Sequence, residues 1–201
     1  MTADTLRRSP LGHFAERFAE RATEDVRLRE LPFLTQLNVQ LDPSRGSGGG
    51  AERVAAVLGA PLPTVPNTVS EANGLRSLWL GPQEWLVTGP AEVAQETTAL
   101  LRAALDGEQA SLVDVSANRT TLELSGPAAR DVLEKGCSLD LHPRAFGPGS
   151  CAQTLLSKVN VVLHQTGAEP TYHLLVRGSF AQYLADWLLD AMGEFQAISI
   201  R

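Results

Sequence analysis

Apolar residues recur along the chain with the two spacings that distinguish strands from amphipathic helices. Residues 26–42 alternate between apolar and polar side chains, which predicts extended structure that Pro32 divides into two short strands. Further strands are predicted at residues 75–80, 85–88, 111–115, 120–124, 154–156, 159–163 and 172–176. Longer helices are predicted at residues 90–105, 127–136 and 179–191.

Two of these helices carry apolar residues that we expect to face the core. In the helix at 90–105 they are Val93, Leu100, Leu101, Ala104 and Leu105. In the last helix, which Ser179 is predicted to cap, they are Phe180, Tyr183, Leu184, Trp187, Leu188 and Ala191. Three times a strand leads through a turn of small residues into a helix, near Pro90, Pro127 and Ser179. This recurrence predicts an α+β fold with mixed or antiparallel sheets and helices on one face.

The N-terminal segment has the pattern of a helix that Ser9 caps and Pro10 opens. Its apolar face consists of Leu11, Phe14, Ala15, Phe18 and Ala22. Two phenylalanines on a terminal helix need a partner surface, because large apolar side chains are stabilised by leaving water. The sequence allows two interpretations: the helix packs on the core of its own chain, or it is an arm that packs on another subunit.

These patterns predict three consecutive segments that together make one compact unit. Residues 1–42 are the N-terminal arm and strands, and residues 75–201 are the main α+β region. Residues 43–74 connect them through a flexible glycine-rich loop, a short helix and a proline-rich connector. The short helix uses Val54, Ala55 and Leu58 as its apolar positions.

The composition is that of an ordinary globular protein, with 43% hydrophobic and 20% charged residues among 201. Its net charge of -6 lacks the concentrated basic field that nucleic acids and anionic membranes require, so we expect neither as a partner. No apolar run has the roughly 18 residues of a membrane helix, and residues 1–11 lack the apolar stretch of a signal peptide. We therefore expect a cytoplasmic protein whose two cysteines stay reduced.

Motifs for cofactor, metal or catalytic chemistry are not recognisable in the sequence. The glycine-rich loop has no Gly-Lys-Ser/Thr ending, and no Gly-x-Gly-x-x-Gly follows a strand, so no cofactor-binding residue is expected. Cys137, His142 and Cys151, with His164 and His173 beyond, lack the close spacing of zinc ligands. Buried free thiols are the favoured interpretation of the cysteines. Metal binding and Cys137 catalysis with His142 as base are the weaker alternatives.

Several polar and aromatic residues have both a structural and a functional interpretation. Asp114 is predicted to accept hydrogen bonds from the Ser116–Asn118 turn or to pair with Arg119. Arg119 and Arg130 alternatively face carboxylates of a partner, because guanidinium groups suit paired hydrogen bonds. Core positions are favoured over cofactor stacking for Trp79, Trp85 and Trp187.

An ordered series of segments resembles the γ subunits of heterotetrameric sarcosine oxidase. The series runs through residues 80–87 (LGPQEWLV), 113–133 (VDVSANRTTLELSGPAARDVL), 137–146 (CSLDLHPRAF), 149–154 (GSCAQT) and 176–181 (VRGSFA). It covers roughly residues 75–195, with a weaker likeness at the Ser9-Pro10-Leu11 opening. The central segment is also similar to the folate-binding aminomethyltransferase superfamily, which contains the glycine-cleavage T proteins.

The resemblance implies a fold like that of the aminomethyltransferase folate-binding domain, including a ferredoxin-like layer. It implies an accessory, non-catalytic chain that assembles with alpha, beta and delta subunits. The assembled enzyme is expected to oxidise sarcosine to glycine, producing hydrogen peroxide and either formaldehyde or 5,10-methylenetetrahydrofolate. FAD, FMN, NAD and the tetrahydrofolate site are expected on the other subunits, and no catalytic residue is transferred to this chain.

A second hypothesis follows from the wider likeness alone. A stand-alone folate-binding or aminomethyltransferase-like protein would need a central pocket with a carboxylate and an aromatic or arginine clamp for the folate. The matched region supplies no obvious pair of acidic residues for such a site. An unrelated α+β interaction domain is a third interpretation.

Overall fold

Strands dominate the chain in the computed structural model, which describes residues 7–195. In chain order they are β1 (Arg27–Leu31), β2 (Thr35–Gly46), β3 (Val69–Ala72), β4 (Leu75–Gly81), β5 (Glu84–Gly89), β6 (Glu108–Asp114), β7 (Arg119–Ser125), β8 (Cys151–Leu156), β9 (Val159–Gly167) and β10 (Thr171–Arg177). The helices are α1 (Ala15–Arg21), α2 (Gly50–Leu58), α3 (Ala94–Ala104), α4 (Ala129–Glu134) and α5 (Gly178–Ala191). None of the helices within this range is long and apolar enough to cross a bilayer.

The described residues divide into two compact units, each drawn from separate stretches of chain. The first unit contains the residues up to Pro32, Asn118–Pro148 and the residues from Gln153 onward. The second unit contains Phe33–Ala117 and Gly149–Ala152. The three consecutive segments proposed from the sequence stay a prediction.

The sheet of the first unit has the strand order β1-β7-β10-β9-β8. β7 pairs antiparallel with β1 on one side and with β10 on the other. Helix α5 packs on β7 and β10 through a stripe of buried residues three and four positions apart. The stripe consists of Ala181, Leu184, Ala185 and Leu188. Because one face of the sheet is covered in this way, β7 and β10 bury Leu122, Leu124 and Leu174 completely.

The N-terminal helix packs on its own chain. Leu11, Phe14 and Phe18 are buried, and α1 lies against β1. An ion pair of 2.9 Å between Arg17 and Asp186 joins α1 to α5. Ser9 accepts a hydrogen bond from the backbone amide of Leu11 at 3.2 Å, but the helical segment begins at Gly12 with Leu11 in the capping position, so the predicted Ser9 cap was wrong. The first interpretation is therefore confirmed, because these aromatic side chains are buried within their own chain.

The second unit is built around a sheet of order β3-β4-β5-β2-β6. Helices α2 and α3 bury Val54, Leu58 and Leu101 against Leu37 and Val39 of β2. The predicted short helix and its apolar positions Val54 and Leu58 are thus confirmed. β4 and β5 form the predicted hairpin, and their antiparallel pairing agrees with the predicted α+β class.

The glycine-rich loop begins later than the sequence predicted. β2 continues to Gly46, whose backbone pairs with that of Glu108 in β6 after a register irregularity. Glu108 also accepts hydrogen bonds from Ser47 at 2.8 Å and from Arg53 at 2.6 Å. These long-range contacts order a segment whose composition is typical of a loop. β3 was not predicted, because its sequence Val-Ser-Glu-Ala does not alternate between apolar and polar residues.

Three apolar residues expected in the core are exposed. Phe180 and Tyr183 of α5 are 48% and 40% exposed, and Leu100 of α3 is 48% exposed. Each lies one residue from a buried position, and one residue turns a helix by about 100°. The capping prediction was also wrong, because α5 begins at Gly178 with Arg177 in the capping position.

Gly126 occupies a position that only glycine suits, between β7 and α4. Its φ is 115°, and a Cβ added there would lie 2.4 Å from the carbonyl oxygen of Asp25. We predict that Gly126→Ala lowers the free energy of unfolding by about 2 to 4 kcal/mol, because both backbone strain and a backbone clash result. Urea unfolding followed by circular dichroism measures the change.

Gly12→Ala is the matched control in the same unit. A Cβ at Gly12 would meet no atom within 4 Å, so this variant should change the stability by less than about 0.5 kcal/mol. Equal unfolding midpoints for the two variants would contradict the strain argument.

Candidate functional site

The two cysteines lie in different surroundings, and neither has a histidine partner. Cys151 is buried, and its thiol contacts the carbonyl oxygens of Thr68 and Trp79 at 3.4 and 3.5 Å. Burial raises the pKa of Cys151 to about 11, opposed by the hydrogen bond to Trp79. Cys137 is half-buried, with Thr154 at 4.0 Å. The favoured interpretation of Cys151 as a buried free thiol is confirmed.

His142 belongs to a local turn. Its backbone amide donates to Asp140 at 3.0 Å, and its Nδ1 accepts from the amide of Arg144 at 3.3 Å. Such contacts fix the shape of an exposed loop. Across residues 7–195, no group of three or more His, Cys, Asp or Glu side chains is arranged to hold a metal ion.

Asp114 closes the turn that follows β6. Its Oδ1 accepts hydrogen bonds from the backbone amide of Ser116 at 2.9 Å and from the Ser116 hydroxyl at 2.6 Å. The Ser116 hydroxyl oxygen in turn accepts from the amide of Gln36 at 2.9 Å. The predicted hydrogen bonding of Asp114 to its own turn is thereby confirmed, and it fastens the end of β6 to β2.

The three tryptophans are structural to different degrees. Trp85 is buried, and its indole N–H donates to the carbonyl oxygen of Pro63 at 2.8 Å. Trp79 is opposite Trp85 in the β4–β5 pairing and packs, half-buried, against the same core. Trp187 lies over Gly136, where a Cβ would come within 2.5 Å of the indole ring. All three contact protein, so the core interpretation accounts for them.

Arg130 is half-buried beside Tyr172 rather than extended into solvent. Burial raises the pKa of Tyr172, and the neighbouring Arg130 guanidinium opposes this shift. Arg130 therefore serves the interior of the first unit. Arg119, by contrast, lines a surface concavity described below.

A row of charged and polar side chains crosses four strands of the first unit. Glu123 of β7 is directly opposite Arg29 of β1 and His173 of β10, and His173 is opposite His164 of β9. Glu123 accepts a hydrogen bond from Arg29 at 2.6 Å and lies 3.2 Å from the Nε2 of His173. The rings of His173 and His164 meet edge to face, with centroids 6.0 Å apart.

The row has a strong effect on its central carboxylate. The hydrogen bonds from His173 and Arg29, together with the positive charge of Arg29, lower the pKa of Glu123 to about 2, against the opposing effect of burial. The Glu123 hydrogen bond likewise raises the pKa of Arg29. Sequence reasoning missed this row, because its four strands include β1 and β7, which are far apart in the chain.

The first unit has both an apolar and a polar concavity. An apolar groove of about 690 Å³ runs between α1 and β1, lined by Leu11, Ala15, Phe18 and Leu28 with Arg29 and Glu123 beside them. A second cavity of about 590 Å³ is polar and lined by Arg119, Lys158 and Arg177, with Asn160, Leu155 and Phe180. We call this second cavity the basic concavity. Arg119 therefore lines a surface cavity. The alternative that it faces carboxylates of a partner stays a prediction.

Comparison with known proteins places the chain in a family. The model of the sarcosine oxidase, gamma subunit family matches residues 46–194. The sarcosine oxidase subunit gamma of Corynebacterium sp. strain P-1 is 46% identical over 195 residues, covering 95% of this chain and 92% of the relative. The sarcosine oxidase subunit gamma of an Arthrobacter species is 44% identical over 198 residues, covering 98% of this chain and 95% of the relative. The chain belongs to the sarcosine oxidase gamma subunit family.

Solved structures extend this relation to the fold. A chain of the heterotetrameric sarcosine oxidase from Corynebacterium sp. U-96, solved with pyrrole 2-carboxylate, has a TM-score of 0.87 and 39% identity, covering 98% of this chain and 100% of that one. The glycine cleavage aminomethyltransferase T of Bartonella henselae has a TM-score of 0.62 and 18% identity, covering 90% of this chain and 49% of that one. The second likeness shows a shared fold only. The predicted aminomethyltransferase-like α+β fold is confirmed.

The gamma subunit family match includes most of the features described above. Glu123, His173 and all residues of the basic concavity lie inside the matched range of 46–194, whereas Arg29 and α1 precede it. The basic concavity is therefore formed entirely by residues of the family match.

We predict that Glu123→Gln destabilises the chain at pH 7 by about 1 to 2 kcal/mol. The lowered pKa would correspond to more, but solvent beside the exposed Arg29 screens the pairing. Because the folded pKa lies below the unfolded one, the carboxylate stabilises the native state above about pH 4.5. That contribution is lost as the pH falls toward about 2. The stabilities of the wild type and of Glu123→Gln should therefore converge at low pH. Urea unfolding of both proteins at several pH values measures the difference between them.

Glu20→Gln is the control for this prediction. Glu20 is an exposed residue of α1 that forms no ion pair among the described residues. Its replacement should change the stability by less than about 0.5 kcal/mol at any pH. A Glu123→Gln effect that stays constant down to pH 3 would show that packing, and not ionisation, is responsible.

The Cys151 thiol should be nearly inert in the native chain. Its raised pKa reduces the thiolate fraction near pH 8 about a hundredfold, and burial hinders access further. A Cys137→Ser variant, titrated with an aromatic disulfide reagent, should therefore react at least about a hundredfold faster in 6 M urea than in native buffer. The reciprocal Cys151→Ser variant reports the half-buried Cys137. Equal native rates for both variants would contradict the assignment.

Proposed function

We propose that the chain is the accessory gamma subunit of a heterotetrameric sarcosine oxidase. The observation that carries this proposal is its near-complete match to one chain of the assembled Corynebacterium enzyme, with 39% identity over 98% of its length. The two chains cover one another almost fully, so the likeness is not limited to a part of either chain. The chain acts in this proposal by building the complex, and it contributes no catalytic residue.

The partners in this proposal are the alpha, beta and delta subunits, in the cytoplasm. Those subunits bind FAD, FMN and NAD, and they hold tetrahydrofolate as the one-carbon acceptor. Flavin accepts two electrons from the N-methyl carbon of sarcosine, and dioxygen then takes them to form hydrogen peroxide. Hydrolysis of the resulting imine releases glycine and formaldehyde, whereas capture of the carbon by the folate yields 5,10-methylenetetrahydrofolate.

Exposed apolar side chains support an interface role. Val65 in the proline-rich connector is 62% exposed, and Val113 of β6 is 49% exposed. Leu155, Phe180 and Tyr183 of the first unit are also exposed. Phe14 and Phe18 of the N-terminal helix are not among them, because both are buried in this chain.

The proposal predicts recruitment of the other subunits by this chain. Expressed with the neighbouring genes of its locus and purified through an affinity tag, the chain should yield a yellow complex of four different subunits. Native mass spectrometry measures the composition, and peroxide formation with sarcosine measures the activity. Peroxide release should fall when glycine replaces sarcosine, because glycine has no N-methyl group to oxidise.

The control is the same tag on an unrelated carrier protein, which should recover none of these subunits. A colourless single chain that ignores the larger subunits would contradict the proposal. If that single chain also bound tetrahydrofolate with saturation in calorimetry, the stand-alone folate-binding function would replace it.

A further inference from the structure

We infer that the basic concavity binds an acidic segment of a partner subunit, and that this segment inserts an apolar side chain beside Phe180. The inference rests on the proposed function and deepens it, since it specifies which surface of the chain docks and what chemistry the partner presents. Every residue that lines the cavity belongs to the first unit.

The charge of the concavity is opposite to that of the chain. Arg119, Lys158 and Arg177 line it, and none of its lining residues among those described is Asp or Glu. The chain as a whole carries a net charge of -6. A local concentration of three cations on an acidic protein therefore attracts carboxylates while the remaining surface repels them.

The strand register increases the repulsion within this cluster. Arg119 of β7 is directly opposite Arg177 of β10. Like charges at directly opposite positions of an antiparallel pair repel one another. A partner's carboxylate at Arg177 would reduce this repulsion, because a guanidinium group can donate paired hydrogen bonds to it.

Two of the three cations are available to a partner. Lys158 and Arg177 are exposed, and neither forms an ion pair within residues 7–195. Lys158 lies on the turn between β8 and β9, so its side chain can extend over the cavity. The first turn of α5 begins next to Arg177 and adds partial positive charge of the same sign.

The apolar residues of the rim favour a polypeptide over other anions. Leu155 and Phe180 are 47% and 48% exposed and line the same cavity as the three cations. Inorganic anions would use the cations and leave these side chains in water, whereas a peptide segment covers both. A nucleic acid is disfavoured, because its many phosphates would meet the net negative charge of the surrounding surface. An acidic segment with an apolar side chain matches all of these features.

Lysine chemistry offers a direct test, because the chain contains only Lys135 and Lys158. The purified complex is treated with a water-soluble carbodiimide, which joins an amine to a carboxylate in contact with it, and the products are identified by peptide mass spectrometry. We expect an amide between Lys158 and an Asp or Glu of another subunit. Lys135, which is ion-paired with Glu194 at 2.5 Å, should give an intrachain product as the internal positive control.

Charge reversal supplies the second measurement. The double variant Lys158→Glu and Arg177→Glu should bind the other subunits at least about tenfold more weakly, with a smaller dependence on salt concentration. The control double variant, Arg102→Glu with Arg144→Glu, changes the net charge equally at exposed positions outside the concavity. It should bind like the wild type, which separates a local contact from a general charge effect.

The outcomes distinguish this inference from the proposed function. If the wild-type chain assembles, Lys158 forms no interchain product and both double variants bind equally, the docking surface is wrong and the accessory role stands. If the wild-type chain recruits no subunit, the proposed function and the docking surface are both wrong. A Lys158 contact that disappears on nuclease treatment, or that 10 mM phosphate removes at constant ionic strength, would show a nucleic acid or a small anion in place of the peptide.

Discussion

The register of β7 between β1 and β10 is the constraint on which the first unit depends. Side chains alternate across a strand, so a shift of one residue would turn Leu122 and Leu124 out of the core and Glu123 into it. The same register aligns Glu123 with Arg29 and His173, and Arg119 with Arg177. A favourable charge pairing and an unfavourable one thus follow from a single alignment. Burial of the leucines decides it, since each contributes about 1.5 to 3 kcal/mol.

Local features of the chain could be predicted from the sequence, whereas features that join distant strands could not. The β4–β5 hairpin and the Asp114 turn involve residues within about ten positions of each other, and both were predicted. The charged row requires strands β1, β7, β10 and β9 to be neighbours, an order that no local pattern specifies. The exposed Phe180 was misplaced for a related reason: helical spacing gives the direction of an apolar stripe only to within about one residue.

The relation to the aminomethyltransferases is one of fold. The likeness to the Bartonella enzyme extends over 90% of this chain at 18% identity, which is enough to share sheets and helices but not a site. On the surface of this chain, three cations and two exposed apolar side chains lie at one end of the sheet of the first unit.

The interleaved layout of the two units has a consequence during synthesis on the ribosome. Arg29 and Glu123 are neighbours in the sheet but 94 positions apart in the chain. At typical elongation rates, β1 waits about 5 to 20 s before its pairing strand is translated. During that interval an amphipathic helix and a strand with open hydrogen-bonding edges are exposed to solvent. The nascent chain is thus most vulnerable to aggregation long before it is complete, and an early truncation would leave β1 permanently unpaired.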